Sequence, residues 1–135
     1  MAEYTVTVEV SASAHDAYAY IADLDHLSDW DSSVRTSTNT GDGRHDVTLG
    51  FYGKALDAVY EIVETDEPNR IVWTIDGKAT GRTEIDIDPA DVGCTITVST
   101  VVKLGGLAKL LDRGLGVALE GIGENVGKGL RKALA

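Results

Sequence analysis

The sequence predicts an α+β domain in which a curved antiparallel sheet wraps around a long C-terminal helix. Three observations carry that reading. Tyr4–Val10 and most of Arg35–Leu104 alternate with a period of two, as half-buried strands require. The separators between these runs are short and turn-like, which leaves no room for crossover helices and favours antiparallel pairing. From Leu104 onward the apolar period becomes that of a helix. The 135 residues suit a single domain covering 1–135.

Along the chain, Tyr4, Val6, Val8 and Val10 face one side of a first strand. Ser13 is placed to cap a helix, with Asp16 three positions later in a capping-box-like arrangement. Ala17, Tyr18, Ile21 and Ala22 form the apolar side of that helix, and Asp25 is placed to cap a second short one carrying Leu27 and Trp30. Such short helices bury little alone and are expected to plug the opening of a larger unit.

Six strands follow, near Arg35–Asn39, Val47–Phe51, Leu56–Glu64, Ile71–Ile75, Thr80–Asp88 and Thr95–Leu104. Gly41-Asp42-Gly43, Asp66-Glu67-Pro68-Asn69, Asp76-Gly77 and Asp88-Pro89 through Gly93 separate them. Their inward rows read Leu56/Ala58/Tyr60/Ile62, Ile71/Trp73/Ile75, Thr83/Ile85/Ile87 and Ile96/Val98/Thr100/Val102.

A helix through most of 107–134, about 40 Å long, is expected to cover those rows. Leu104, Leu107, Ala108, Leu111, Leu115, Ala118, Leu119, Ile122, Val126 and Ala133 fall on its inner side, with Asn125 between Ile122 and Val126. Its glycines are anomalous, since each interior one costs roughly 0.5–1 kcal/mol relative to Ala. Crowding by the strands, room for a ligand, flexibility at a cavity mouth, or close helix contact in a homodimer would each account for them.

Composition narrows the function. Twelve Lys+Arg against 22 Asp+Glu give a net charge of −10, which argues against nucleic-acid binding and weakens attraction to anionic membranes. With 43% hydrophobic and 25% charged residues the chain suits a folded domain. Cys94 is the single cysteine, so no internal disulfide forms. The opening MAEYTVTVEV lacks a signal-peptide pattern, and no run of about 18 apolar residues follows. A cytoplasmic protein without stable membrane insertion is expected.

Val8-Glu9-Val10-Ser11-Ala12-Ser13-Ala14-His15-Asp16-Ala17-Tyr18-Ala19-Tyr20-Ile21-Ala22-Asp23, followed by Asp25, Leu27 and Trp30-Asp31-Ser32-Ser33-Val34, resembles the opening of the START-like (SRPBCC) superfamily, in its polyketide cyclase/dehydrase and lipid-transport branch. Further on, the resemblance is one of layout. It implies a helix-grip fold with a deep apolar cavity between sheet and terminal helix. Members include lipid carriers, binders of plant hormones or secondary metabolites, and polyketide aromatase/cyclases. Carried over by position, Trp30 would sit near the cavity mouth, with Leu27 and Val34 at that end. Tyr60, Trp73, Thr83, Ile85, Val98 and Thr100 would line the sheet wall. Leu111, Leu115, Ala118, Leu119 and Ile122 would form the facing wall, and Asn125 would offer a polar group.

No strong catalytic motif emerges: there is no CxxC, HExxH, GxSxG or phosphate loop. His15, His26 and His45 have no useful metal-ligand spacing, and neither a metal nor a cofactor is expected. His26 beside Asp25 and Asp29 reads as an exposed helix start, with proton transfer as the alternative. Asp23, Asp25, Asp29 and Asp31 read as caps and a solvated face; the alternative is one carboxylate that orients a ligand hydroxyl. Arg82 falls in the outward phase, and only a bulge would turn it inward. Cys94 reads as a core or turn-proximal thiol.

Three functions compete. The first is binding or transport of a hydrophobic small molecule, such as a lipid, isoprenoid or aromatic polyketide, with hydroxyls or amides setting its orientation. The second is a polyketide cyclase or aromatase using Tyr60, Thr100, His26 or an inward Arg82. The third is a structural or regulatory protein without a stored ligand.

Overall fold

The computed structural model describes residues 2–51, 53–104 and 112–135, and for Phe51 and residues 112–117 the backbone alone. Strand β1 (Ala2–Val10) leads into α1 (Ala14–Ala22), a 3-10 turn (Leu24–His26) and α2 (Leu27–Trp30). Strands β2 (Val34–Gly41), β3 (Arg44–Phe51), β4 (Lys54–Asp66), β5 (Arg70–Gly77), β6 (Ala79–Pro89) and β7 (Cys94–Leu104) follow, then α3 (Asp112–Ala133). The seven strands form one antiparallel sheet in the order β1-β7-β6-β5-β4-β3-β2. The α+β helix-grip arrangement is thereby observed.

Local chemistry explains the connections. Ser13 Oγ accepts the Asp16 amide at 3.1 Å, capping α1 as expected. The cap of the following turn is Asp23, whose Oδ1 accepts the Asp25 amide at 3.0 Å. Asp25 therefore does not hold the capping position the sequence suggested; its side chain is engaged with the sheet instead. Between β2 and β3, Gly41, Asp42 and Gly43 take φ of 96°, 55° and 76°, a left-handed turn that glycine and aspartate tolerate best.

The inward rows fall as the alternation predicts except at Ile62, which is only half-buried beside the bulge in β4. Leu56, Ala58, Tyr60, Ile71, Trp73, Ile75, Thr83, Ile85, Ile87, Ile96, Val98, Thr100 and Val102 are all buried. A register shift between Ile62 and Glu64 leaves Val63 as the extra residue of β4, and Val63 is 48% exposed. Among charged residues on the outer face, Arg70 binds Glu64, Glu84 and Asp86 at 2.7, 3.0 and 2.8 Å.

Helix α3 packs on β1 and α2, and the backbone amide of Ala12 donates to Leu134 O at 2.9 Å, fastening the C-terminus beside the end of β1. Its inner face is Leu119, Gly123, Val126, Gly127, Leu130 and Leu134, all buried. The glycines belong to that face. A Cβ at Gly123 would lie 3.0 Å from Tyr4 Cδ1, and one at Gly127 would lie 3.1 Å from Val6 Cγ2. At Gly129 it would meet the Trp30 backbone, 2.6 Å from the carbonyl oxygen. Crowding within the chain accounts for these three positions, whereas Gly121 is exposed with open space around it.

That face corrects the expected helix phase. Asn125 is exposed, and so is Ala133, while Leu134 is buried. With glycine counted as neutral the stripe centres near Ile122, which is only half-buried. Counted as contact residues, Gly123 and Gly127 rotate its centre and turn Asn125 outward, about 100° from Val126.

Candidate functional site

The site is built where α2 meets the inside of the sheet. Helix α2 ends when the Asp31 amide donates to Leu27 O at 2.9 Å. Asp31 then folds back on the chain: its Oδ1 accepts the Ser33 amide at 3.0 Å and the Ser33 hydroxyl at 2.7 Å. This local turn redirects the chain into β2 and buries Asp31 to 8% exposure. Trp30, just before it, has its ring 6.2 Å from that of Trp73 on β5, tilted by 55°. Tyr60 on β4 stacks beside Trp73 at 6.4 Å.

These rings carry polar atoms into an apolar interior. Trp30 Nε1 and Trp73 Nε1 are buried, and among the described residues neither finds an acceptor. Thr83 and Thr100, opposite one another on β6 and β7, share a hydroxyl–hydroxyl hydrogen bond of 3.0 Å. Thr100 is also opposite Tyr4 of β1, so three neighbouring strands contribute hydroxyls to the same face.

Electrostatics joins residues that the sheet order separates. Burial raises the Asp31 carboxyl above its ordinary range, opposed by the two Ser33 hydrogen bonds. Burial, then the Asp31 charge, pushes up the Tyr4 hydroxyl, opposed by the Thr100 side chain. The Tyr60 hydroxyl is held well above its ordinary value by burial, then by Asp31 and Tyr4. Strands β1 and β4 are separated in the sheet by β7, β6 and β5. Tyr4 therefore acts on Tyr60 from the far side of the sheet order, and Asp31 acts on both.

Trp30, Tyr60, Trp73, Ile85, Val98 and Leu119 are buried in one core, and Thr83 and Thr100 are buried polar residues of β6 and β7. Trp30, at 2% exposure, is a packed residue against Trp73 and the Gly129 backbone. Ile122 packs at the margin, and exposed Asn125 is no part of this interior. Leu111 lies outside the described residues, as does the side chain of Leu115.

Three residues escaped the sequence reading. Tyr4 was legible only as one of a strand's apolar row, and Asp31 as one member of an acidic run that includes exposed Asp23, Asp25 and Asp29. His45 preceded the expected β3, yet it alternates with buried Val47 and Leu49 and is itself buried. That alternation was the available signal.

Other expected sites lie elsewhere. His26 is partly exposed, stacks on Tyr20 at 4.5 Å and lies 3.6 Å from both Asp23 and Asp29. Arg82 is exposed and lies 3.3 Å from Glu84. Cys94 is buried on β7. On the outer side of the sheet, a depression of about 410 Å³ is lined by Asp46, Val47, Thr48, Asp57, Ala58, Val59, Asp76 and Gly77, which brings three carboxylates to its rim. Among the described residues, no group of three His, Cys, Asp or Glu could hold a metal ion. No described helix is long and apolar enough to cross a membrane.

The fold recurs among solved structures. The chain is similar to a conserved protein from Geobacillus kaustophilus at 16% identity and a TM-score of 0.79, covering 98% of this chain and 93% of that one. A START superfamily protein from Mycobacterium smegmatis shares 17% identity at a TM-score of 0.75, with 98% and 96% covered. The di-domain ARO/CYC StfQ from the steffimycin biosynthetic pathway shares 12% identity at a TM-score of 0.70; 98% of this chain matches 50% of that one. These identities speak for the fold alone. No curated protein matches the chain. The profile described as polyketide cyclase / dehydrase and lipid transport matches residues 1–135, and with the seven-stranded sheet closed by α3 it settles the family: the chain belongs to the polyketide cyclase/dehydrase and lipid transport family.

Proposed function

We propose that the chain binds a hydrophobic small molecule between the sheet and α3, and that the ligand presents at least one acceptor oxygen. The observation that carries this is the pair of buried indole N–H groups, Trp30 Nε1 and Trp73 Nε1, without an acceptor among the described residues. A buried donor left unpaired costs about 1–3 kcal/mol, so a ligand oxygen there gains affinity as well as orientation. The surrounding apolar rows supply most of the binding through burial.

Trp30→Phe and Trp73→Phe keep an aromatic ring, delete the N–H and lose the bulk of the second ring. Each should weaken an oxygen-bearing apolar ligand by roughly tenfold more than a ligand of the same shape without the oxygen, which meets the same loss of bulk. The ligand is found first, by native mass spectrometry and identification of what denaturation releases. A chain that releases no apolar species and binds none from a lipid, isoprenoid and aromatic panel refutes the reading in favour of a ligand-free structural role.

A polyketide cyclase is the second reading, favoured by one observation. Asp31, with its carboxyl pushed towards the neutral form, acts on both Tyr4 and Tyr60. Such a group can pass a proton to or from an enolising ketone. Turnover of a linear poly-β-ketone to a cyclised product, lost in Tyr60→Phe, would establish it.

A further inference from the structure

Among the described residues, no cation is paired with the buried carboxyl group of Asp31. Asp31 is 8% exposed, and the bonds it accepts from described residues both come from Ser33 and both reach Oδ1. The described lysines and arginines stand on the outside: all are exposed except Arg70, which is half-buried and held by Glu64, Glu84 and Asp86. The buried histidine, His45, is bonded to Asp25. Asp31 follows Trp30 directly in the chain and its charge acts on the Tyr60 hydroxyl, and the Trp30, Trp73 and Tyr60 rings stand in succession with centroids 6.2 and 6.4 Å apart. Aromatic faces around a carboxylate attract an organic ammonium group through the ring quadrupoles and the ion pair together.

We propose that this interior selects hydrophobic ligands that carry a basic amine, with Asp31 as the counter-ion and the Trp30–Trp73–Tyr60 rings as the surrounding wall. The inference rests on the ligand-binding reading above and names its ligand class. Burial holds the empty carboxyl towards its neutral form, and an ammonium brought beside it restores the ionised one. The net charge of −10 draws cations to the whole surface, so the amine preference has to be traced to Asp31 itself.

Three probes of one shape make the test: naphthylethylamine, naphthylethanol and naphthylacetic acid, titrated calorimetrically at about 0.15 M salt to screen surface charge. The native protein is compared with Asp31→Asn, whose amide oxygen can still accept from Ser33, and with Asp29→Asn, which removes one exposed charge. The amine should bind about tenfold more tightly than the alcohol, and the acid most weakly. Asp31→Asn should abolish the amine preference, and Asp29→Asn should keep it. An alcohol or acid that binds as well as the amine overturns the amine assignment and leaves the binding function standing. Equal loss in both variants also overturns it, since the attraction is then one of net charge. Failure of all three probes to bind counts against both this inference and the reading beneath it.

Discussion

His45 Nε2 lies 3.1 Å from Asp25 Oδ1, so β3 is bonded to the turn that begins the helical cap. The two ends differ in environment, because His45 is buried and Asp25 is exposed. The other ring nitrogen, Nδ1, is buried without a partner among the described residues. Asp25 is therefore the described group that satisfies the imidazole.

Asp25→Ala should destabilise the protein by about 1–3 kcal/mol, although the residue removed is on the surface, because it strands a buried ring nitrogen. In a His45→Leu background the same change should cost much less. Urea unfolding of the two single variants and the double variant measures the coupling. Additive effects would show that the contact does not hold the cap.

Gly121 and Gly129 should respond oppositely to alanine. At Gly121 a methyl group enters open space, so the helix gains roughly 0.5–1 kcal/mol. At Gly129 it lies 2.8 Å from Trp30 Cα, and the clash with backbone leaves α3 or α2 to shift. A loss of about 1–3 kcal/mol is expected, as for overpacked cores. Thermal melts of both variants check the pair; equal stabilisation would mean that α3 does not approach α2 this closely.

Thr83 and Thr100 should behave as a unit. Either Thr→Val change alone leaves one buried hydroxyl without its 3.0 Å partner and should cost about 1–3 kcal/mol. The double change replaces both hydroxyls with methyls of similar volume and should restore part of that loss, the contact of Thr100 with the Tyr4 hydroxyl staying lost. A double variant less stable than either single one would show that each hydroxyl has another essential partner.

The contrast between sheet and helix explains how much of this was legible. Strand phase needs only a period of two, and Tyr60, Trp73, Ile85 and Val98 all fell inward as read. Helix phase depends on every side chain, and here Gly123 and Gly127 mark the contact face by having none. A hydropathy wheel passes over them, which placed Asn125 inward. Asp31 and His45 were hidden for another reason. Asp31 is turned inward by its local bonds to Ser33, and His45, in phase with Val47 and Leu49, carries a polar ring whose partner, Asp25, is distant in sequence. Composition displays the acidic run but not which member of it folds inward.

Asp31 also fixes the sign of a pH dependence. Its folded pKa is raised above the ordinary 3.8, so between those two values the folded state holds the proton more tightly. Its contribution to stability is thus fully present below 3.8 and is lost as pH rises through the folded value. An asparagine cannot ionise, and its amide oxygen can accept both Ser33 bonds. The stability of Asp31→Asn relative to the native protein should therefore increase from about pH 4 to about pH 7, by about 1.4 kcal/mol for each unit of elevation. Surface carboxylates are common to both proteins and cancel in the difference. Chemical denaturation at intervals across that range measures it. A difference that stays flat with pH, or falls, would mean that Asp31 is solvated or neutralised by a cation in the folded chain, and the ammonium assignment would fall with it.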